Sequence, residues 1–535
     1  MSDLIKWTDI VRHFANRFTT APSRSRLGSV VGAVWFSLWI GAAVLSGQDA
    51  DSEAQKHFLA ARQAQSAGDL GTAAREYAAV LRLHPGIAEV YGNLGLVYYL
   101  EAKFDESAGA FEKALALKPG LRGSDLFLGI DYVRLYRPQR AVPHLEKAVE
   151  QEPMNKEARS WLSSGLWDSG QTAAAIAQLS KAVHDFPGDA DFLFLLGEGY
   201  RKSANREVEK VLASVPRGGP FYHQIFGDIY ATRGDWDKAI AHYRRAIEAD
   251  SHWEGAHYGL AEVYLQQNRP EEAQAEFRHE QPLDSPDASY KRALADFNRG
   301  AFEEAEAALV AQLSDDPKNL KVRYLLGRTY QQLSLSVLDR LLKTDPDSFR
   351  AHQLQAETYA YREENGKALA EYRIVEQMRP ELPGLHFAMG DLLWKSDDNS
   401  QALAQLQQEL RINPNHAEAN AEIGAILVSE HQPNQAIPYL RKALRLKPDL
   451  VMVHEQLGKA YFQRQEFAQA VGELNRGLAP DDQGNVHYVL GMVYKKMGRM
   501  KEARAAFEQS RRIKTERLAE ATIQKADQPD SRSSL

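Results

Sequence analysis

"AEVYGNLGLVYYLEAKFDESAGAFEKALALKP", residues 88–119, holds two helix-length segments that are separated by a short break and followed by proline. Gly95 and Ser107 stand twelve positions apart, one in each segment. Leu94 and Phe111 supply bulk beside them. Two antiparallel helices approach to about 8 Å only where the side chains at their crossing are small. The stretch therefore predicts one helical hairpin, which must bury its apolar face against neighbours.

The same pattern repeats with a period of 34 residues along most of the chain. Fourteen units begin near residues 54, 88, 122, 156, 190, 220, 254, 286, 320, 349, 383, 417, 451 and 484. A small residue occupies the eighth position of every unit, at Ala61, Gly95, Gly129, Ser163, Gly197, Gly227, Ala261, Ala293, Gly327, Ala356, Gly390, Gly424, Gly458 and Gly491. Such a repeat indicates a solenoid in which each hairpin packs on the next.

Small residues at positions 8 and 20, aromatic residues at 11 and 24 and proline at 32 resemble the tetratricopeptide repeat. The resemblance covers about 460 residues and implies an all-α fold, a right-handed superhelical α-solenoid of about 14 helical hairpins. A solenoid of this kind serves many unrelated functions, so the resemblance says little about function. We expect units 1–7 at 54–280, units 8–14 at 286–510, a capping helix at 511–524 and a disordered tail at 525–535.

Two units are five residues short. Tyr200 and Pro216 lie sixteen residues apart, as do Tyr330 and Pro346, whereas neighbouring units have twenty-one. Either a tight turn capped by a serine joins two helices, or the two helices fuse, since the apolar spacing stays helical. We expect the turn, because fusion would leave the adjoining hairpins without a partner.

Two further features concern the middle of the chain. The segments that start at His223 and His352 share many identities at an offset of 129, which indicates a duplicated block. Pro282 should end the second helix of the seventh unit early. We therefore expect a hinge between two arms at residues 281–286.

The N-terminus carries the membrane signal. Residues 27–45, "LGSVVGAVWFSLWIGAAVL", contain no charged residue, and 27–46 is predicted as a transmembrane anchor or the apolar region of a signal peptide. The basic amphipathic segment 1–26 precedes it and acids follow, so the repeats are expected on the periplasmic side. A single-pass inner-membrane anchor and secretion after signal cleavage both remain open.

Composition excludes several classes of function. A net charge of −7 argues against nucleic-acid binding, and the absence of cysteine excludes thiolate chemistry. No phosphate loop or hydrolase motif is present, so we expect no enzyme activity and no cofactor. Histidine recurs at the fourth position of units, where we expect ring packing and not a metal site, at His57, His223, His257, His352, His386, His454 and His487.

The tetratricopeptide resemblance implies that positions 2, 5, 9 and 12 of each unit line a concave groove. Here they include Phe194, Glu198, Asp228, Tyr258, Glu262, Tyr290, Phe297, Tyr324, Phe387, Asp391, Trp394 and Phe462. Aromatic rings interleaved with acids suit a protein or peptide partner with basic groups. Alternatively, these rings pack on one another. We expect a scaffold in bacterial envelope assembly or secretion, with a glycan-binding module of a polysaccharide export machine and a non-catalytic enzyme subunit as alternatives.

Overall fold

A computed structural model of the protein describes residues 50–216, 218–251, 253, 255–279, 288–478, 481 and 483–526. Within them the backbone forms 26 α-helices and no β-strand, which confirms the predicted all-α fold. The first thirteen are α1 (Ala50–Ser66), α2 (Leu70–Leu83), α3 (Ala88–Leu100), α4 (Phe104–Leu117), α5 (Ser124–Arg134), α6 (Pro138–Gln151), α7 (Lys156–Asp168), α8 (Thr172–Asp185), α9 (Ala190–Ser214), α10 (Pro220–Thr232), α11 (Trp236–Ala249), α12 (Ala256–Gln266) and α13 (Pro270–His279).

The remaining helices follow the same alternation. They are α14 (Ala288–Asn298), α15 (Phe302–Asp315), α16 (Leu320–Thr344), α17 (Phe349–Tyr361), α18 (Asn365–Met378), α19 (Leu385–Lys395), α20 (Asn399–Ile412), α21 (Ala417–Ser429), α22 (Pro433–Leu446), α23 (Val451–Gln463), α24 (Phe467–Arg476), α25 (Asn485–Lys496) and α26 (Met500–Ala526). The expected capping helix at 511–524 is continuous with the second helix of the last unit, because α26 runs through both without a break.

Several predicted features lie outside the described residues. These are the segments 1–26 and 27–46, the hinge at 281–286 and the tail beyond residue 526. Of the helices that are described, none combines the length and the apolar composition needed to cross a membrane.

Ordinary hairpins are built on the predicted small residues. A Cβ atom added at Gly95 would lie 2.9 Å from the Phe111 ring, and one at Gly129 would lie 2.5 Å from Leu145 Cγ. In both hairpins the glycine of the first helix faces the residue sixteen positions later in the second. Ser107 Oγ also donates a hydrogen bond to the Gly95 carbonyl across the crossing, at 3.0 Å. The close approach therefore requires glycine at the eighth position of these units.

The expected tight turns in the two short units are wrong. α9 and α16 are each one continuous helix of 25 residues. Neither segment contains glycine or proline where the turn would be needed, and its apolar residues keep helical spacing throughout. Nothing in these segments therefore interrupts the backbone hydrogen bonding of the helix.

The chain folds into two compact units. We call Gly197–Asp339 the inserted unit, and the described residues before Gly197 together with Arg340–Ala519 the main unit. One boundary falls inside α9 and the other inside α16, so both lie far from the hinge expected at 281–286.

Within the inserted unit the two long helices exchange partners. A Cβ atom at Gly197 of α9 would lie 2.5 Å from Leu338 Cγ of α16, and Ser334 Oγ donates to the Gly197 carbonyl at 2.8 Å. These contacts repeat those of Gly95 with Ser107 and Phe111, but they join residues 137 and 141 positions apart. At the reciprocal crossing, a Cβ atom added at Gly327 of α16 would lie 3.2 Å from Val208 Cγ2 of α9.

Within the main unit the start of α9 meets the segment at the end of α16. Arg340 Nη2 donates to the Pro187 carbonyl at 2.6 Å, and Arg350 Nε lies 2.7 Å from Asp191 Oδ1. Fusion therefore leaves neither segment without a partner, because each unit holds its own contacts between the two segments. The main unit also holds nine complete hairpins, four before α9 and five after α16.

The Asp131 carboxylate of the main unit is buried, and the nearby Ser107 hydroxyl and the charge of Arg134 only partly oppose the effect of burial on its pKa. Asp131 on α5 is fully buried, and among the described residues neither carboxylate oxygen has a hydrogen-bond partner. Burial raises the pKa of Asp131 well above its ordinary value of 3.8. An acid with a raised folded-state pKa stabilises the fold below its unfolded pKa, and this contribution is lost as the pH rises through the folded pKa.

We expect Asp131→Asn to raise the stability of the main unit by about 1–3 kcal/mol at pH 8, since a neutral amide of equal size costs less to bury than a carboxylate. The gain should shrink towards pH 4. Urea denaturation at both pH values measures it. Asp125→Asn is the matched control, because Asp125 is buried but lies 2.7 Å from His144 Nδ1, and its neutralisation should lower stability. A less stable Asp131→Asn protein at pH 8 would contradict the prediction.

Candidate functional site

Two of the predicted groove residues line a small cavity in the main unit. Phe387 and Trp394 of α19 form one wall, facing the carboxylates of α21 and the start of α23. The cavity has a volume of about 70 Å³ and is open to solvent on one side. Its lining comprises Phe387, Trp394, Glu418, Ala421, Glu422, Ala425, Leu450, Met452, Val453 and Gln456. The first helices of three successive hairpins thus supply one continuous surface.

Phe387 is held in place by the turn that precedes α21. Its ring stacks on His416 with centroids 4.7 Å apart, and both residues are buried. His416 caps α21, since the Ala419 N–H donates to its Nδ1 atom at 3.2 Å. This hydrogen bond holds the ring in one orientation.

The start of α19 is fixed by a second buried group. Glu409, which is fully buried, accepts hydrogen bonds from the Gly384 N–H at 3.0 Å with both carboxylate oxygens. Gly384 has a φ of +83°, a left-handed conformation that strains any residue with a side chain. The cap and the stacked histidine together hold the start of α19 and the Phe387 ring in place.

The opposite wall is acidic. Glu418 at the start of α21 lies 2.9 Å from Lys447 Nζ, and Glu422 is buried one turn further along. The Ala417 N–H donates to the Tyr136 hydroxyl at 3.1 Å, a contact between residues 281 positions apart. Burial raises the pKa of Tyr136, and the charge of Glu418 adds to the effect. The acidic wall therefore lies at a contact between two distant parts of the main unit.

The side chains of this surface differ in exposure, and Glu418, Leu450 and Gln456 are partly exposed. Met452 is 53% exposed, and Trp394 is partly exposed, while Phe387 is only 3% exposed. Asp391, another predicted groove residue, is fully buried and receives Lys395 Nζ at 3.0 Å. Of the predicted groove residues on α19, Trp394 is thus the one best placed to contact a ligand.

Predicted groove residues of the inserted unit contact one another. Tyr324 donates to Asp228 Oδ2 at 2.5 Å, and Tyr243 donates to the other carboxylate oxygen. The Arg328 guanidinium lies 3.7 Å from Asp228 and 5.1 Å from the Phe297 ring centroid. Burial, reinforced by the charge of Asp228, raises the pKa of Tyr324. These side chains of the inserted unit thus pack on each other, and a binding role for them stays a prediction.

The other predicted residues are dispersed. Phe194 is fully buried beneath the Arg350 guanidinium, at 4.9 Å. Glu198 is buried and accepts from Arg201 Nε at 2.7 Å. The Tyr258 ring packs edge to face on Phe277, with centroids 5.7 Å apart. The remaining three side chains, Glu262, Tyr290 and Phe462, are partly or fully exposed. A binding role for these residues stays a prediction.

Sequence reasoning missed Glu418 and Met452, although both occupy the second position of their units. The position rule that selected Phe387 would have found them. Glu422 and Gln456 fall at the sixth position, outside that rule. In the portion of the chain that the structure describes, no group of three or more histidine, aspartate or glutamate side chains could hold a metal ion.

Family models described as tetratricopeptide repeats match more than half of the chain. Their matches cover residues 58–121, 128–190, 162–203, 230–297, 387–450, 427–492 and 484–515.

Similar proteins come from several settings. A peroxisomal targeting signal receptor of Saccharomyces cerevisiae is 27% identical over 40% of this chain and 37% of its own. Cellulose synthase operon protein C of Xanthomonas axonopodis is 30% identical over 29% of this chain and 11% of its own. Anaphase-promoting complex subunit 3 of Schizosaccharomyces pombe is 24% identical over 57% and 37%. The chain thus spans less than two fifths of the length of each of these relatives.

Solved structures resemble the chain at low identity. The Cut9–Hcn1 hetero-tetramer of the APC/C aligns with 90% of this chain and 96% of the matched one, at 15% identity and a TM-score of 0.32. MamA of Desulfovibrio magneticus aligns with 31% and 96%, at 20% identity and a TM-score of 0.30.

Proposed function

Because the chain belongs to the tetratricopeptide repeat family, we propose that it is a non-catalytic scaffold that binds a partner protein across α19, α21 and α23. The observation that carries this proposal is the cavity between the aromatic wall of Phe387 and Trp394 and the acidic wall of Glu418. An extended peptide with an apolar side chain beside a lysine or arginine fits both walls.

The chemistry of the two walls supports a basic peptide. An indole that is partly exposed gains contact area at small entropic cost when a side chain covers it. A carboxylate at the rim attracts a cation and rejects an anion. Glu418 already pairs with Lys447 at 2.9 Å, and the side chain of Lys447 is 22% exposed, so a ligand cation would compete with it for the carboxylate.

The proposal extends to the location of the scaffold. The apolar segment 27–46 follows a basic segment and precedes acids, which supports a single-pass anchor with the repeats on the periplasmic side. On that basis we place the partner in envelope assembly or secretion.

A glycan-binding module is the second candidate. The observation that favours it is the 30% identity with a protein named for a cellulose synthase operon. Trp394 would then stack on the apolar face of a sugar ring, in the way that aromatic side chains pack on other apolar groups. Probing the full-length protein against a peptide array and a glycan array in parallel separates the two candidates.

We expect the double variant Trp394→Ala, Met452→Ala to lose at least about tenfold in affinity for peptides that the array selects, or about 1.4 kcal/mol. Both side chains reach solvent, so the unfolding midpoint should change little. Fluorescence anisotropy with labelled peptide measures the affinity. Met500→Ala is the matched control, since Met500 is 51% exposed and lies outside this surface. Unchanged peptide binding by the double variant would refute the proposed site, and selective capture of glycans would favour the second candidate.

A further inference from the structure

The last hairpin carries a basic surface. Residues 495–517 hold nine lysines and arginines but three glutamates, a net charge of +6, whereas the whole chain carries −7. They comprise the end of α25, the short turn after it and the larger part of α26. Charge of one sign that is concentrated on one surface attracts a partner of the opposite sign.

The turn between α25 and α26 combines this charge with exposed apolar side chains. We call residues 495–501, "KKMGRMK", the basic turn. All seven are exposed, and they include four cations and no acid. Met497 is 37% exposed and Met500 is 51% exposed. In the three preceding hairpins the corresponding turns each hold an acid, at Asp397, Glu430 and Glu466.

Hydrogen bonds fix the backbone of the basic turn. The Arg499 N–H donates to the Tyr494 carbonyl at 2.9 Å, and the Met500 N–H donates to the Gly498 carbonyl at 3.0 Å. Gly498 has a φ of +75°, and a Cβ atom added there would have no neighbour within 4 Å. The turn is therefore ordered but stands clear of other atoms, so its methionines face solvent from a defined backbone.

The charge of the basic turn is only partly neutralised within the hairpin. Arg499 Nε donates to Glu502 Oε1 at 2.9 Å, and the Arg499 guanidinium lies 4.7 Å from the Tyr494 ring centroid. Lys495 and Lys496 are exposed, and among the described residues neither forms an ion pair. These two lysines are thus able to meet an anionic surface.

The exposed face of α26 continues the positive surface. Helical spacing places one acid, Glu508, and four cations on this face. The cations are Lys501, Arg504, Arg511 and Arg512. The buried residues of the same segment lie on the opposite face, at Ala503, Ala506 and Ser510.

We propose that the basic turn and the exposed face of α26 bind an anionic phospholipid bilayer, with Met497 and Met500 inserted among the headgroups and the cations beside the lipid phosphates. This contact goes beyond the proposed scaffold function and beyond the predicted anchor at 27–46, and it does not involve α19, α21 or α23. Each lysine or arginine near an anionic membrane strengthens binding by about fivefold.

A bilayer accounts for the methionines as well as for the charges. An acidic polypeptide needs only the cations. Two exposed methionines on a positive turn also leave water when they enter a headgroup layer, and this transfer is favourable. Methionine suits that role, because its side chain is unbranched and flexible.

A fluorophore on the basic turn tests the contact directly. The chain contains no cysteine, so the full-length Met500→Cys protein takes one label. With phosphatidylcholine vesicles that contain about 30% phosphatidylglycerol, the emission of an environment-sensitive label should rise at least about twofold and shift to the blue. Phosphatidylcholine vesicles alone should give no rise. Salt at about 1 M should reverse the rise on anionic vesicles, since it shortens the Debye length to about 3 Å.

The label reports the turn itself, so a membrane anchor at 27–46 does not produce the signal. Asn399→Cys is the matched label, because Asn399 begins α20 as Met500 begins α26 but follows Asp397 and Asp398. Its emission should stay unchanged with both kinds of vesicle.

Charge reversal at the turn provides the second arm. In the labelled Met500→Cys protein, Lys495→Glu combined with Lys496→Glu should abolish the rise on anionic vesicles. Both lysines are exposed, so circular dichroism should show an unchanged fold. If charge reversal impairs folding, Lys495→Gln combined with Lys496→Gln takes its place and should at least halve the rise.

Three results would overturn the proposal. They are no rise with anionic vesicles, an equal rise with neutral vesicles, and an equal rise in the Asn399→Cys protein. Polyglutamate probes the other class of partner. A rise with polyglutamate and none with anionic vesicles would assign the basic turn to an acidic protein and reject the bilayer.

Discussion

Replacing residues 204–333 by the five-residue turn Ala102–Glu106 should yield a folded main unit of ten hairpins. Gly197 and Ser334 would then stand twelve positions apart, the spacing of Gly95 and Ser107 in an ordinary unit. The start of α9 and the end of α16 already lie together in the main unit through the Arg340 contact with Pro187. The replacement therefore keeps the contacts of Gly197 with Ser334 and of Arg340 with Pro187, and it removes the stacking of Tyr200 on Tyr330.

Circular dichroism, analytical ultracentrifugation and thermal denaturation of this variant measure the outcome. We expect a monodisperse helical protein with one cooperative transition near that of the parent main unit. Joining Ser203 directly to Ser334 is the matched control, since it omits only the five turn residues and leaves no room for the chain to reverse. That control should aggregate or lose helicity. Aggregation of the five-residue variant would show that the main unit needs residues 204–333 in order to fold.

Where α9 crosses α16, Gly197→Ala should be the most destabilising replacement of a glycine by alanine. The added Cβ would lie 2.5 Å from both Leu338 Cγ and Cδ2, closer than real Cβ atoms approach other atoms. Overpacking of this kind costs about 1–3 kcal/mol. We expect urea denaturation to show that loss in the transition that reports on the inserted unit.

Two glycines provide controls for that substitution. In an ordinary hairpin, the Cβ atom added by Gly129→Ala would lie 2.5 Å from Leu145 Cγ. This substitution should lower the free energy of unfolding by a similar amount. Gly109→Ala lies in α4 with no atom within 4 Å of the added Cβ, so it should stabilise its helix by about 0.5–1 kcal/mol. If Gly197→Ala raises the free energy of unfolding as Gly109→Ala does, α9 and α16 do not approach closely at Gly197.

Much of the candidate site could be predicted from the sequence. The position rule placed Phe387 and Trp394 on one surface, and both line the cavity. The same rule selected Asp228 and Tyr324, but it could not tell that they are hydrogen-bonded to each other. Position within a unit indicates which face of a helix a residue occupies, whereas the tertiary contacts decide whether that face is open or filled.

The sequence by itself determined the ordinary hairpins and their small-residue crossings. Those properties depend on spacing within about 34 residues, where helix periodicity and close approach leave a direct pattern. Only the tertiary structure decided that α9 and α16 exchange partners, because Gly197 and Ser334 are 137 residues apart. The sequence of a helix face shows that the face needs a small-residue crossing and an apolar partner. It does not show which of several similar second helices supplies them. Any second helix with the right small residue satisfies the same packing, and the fused connections select the distant one.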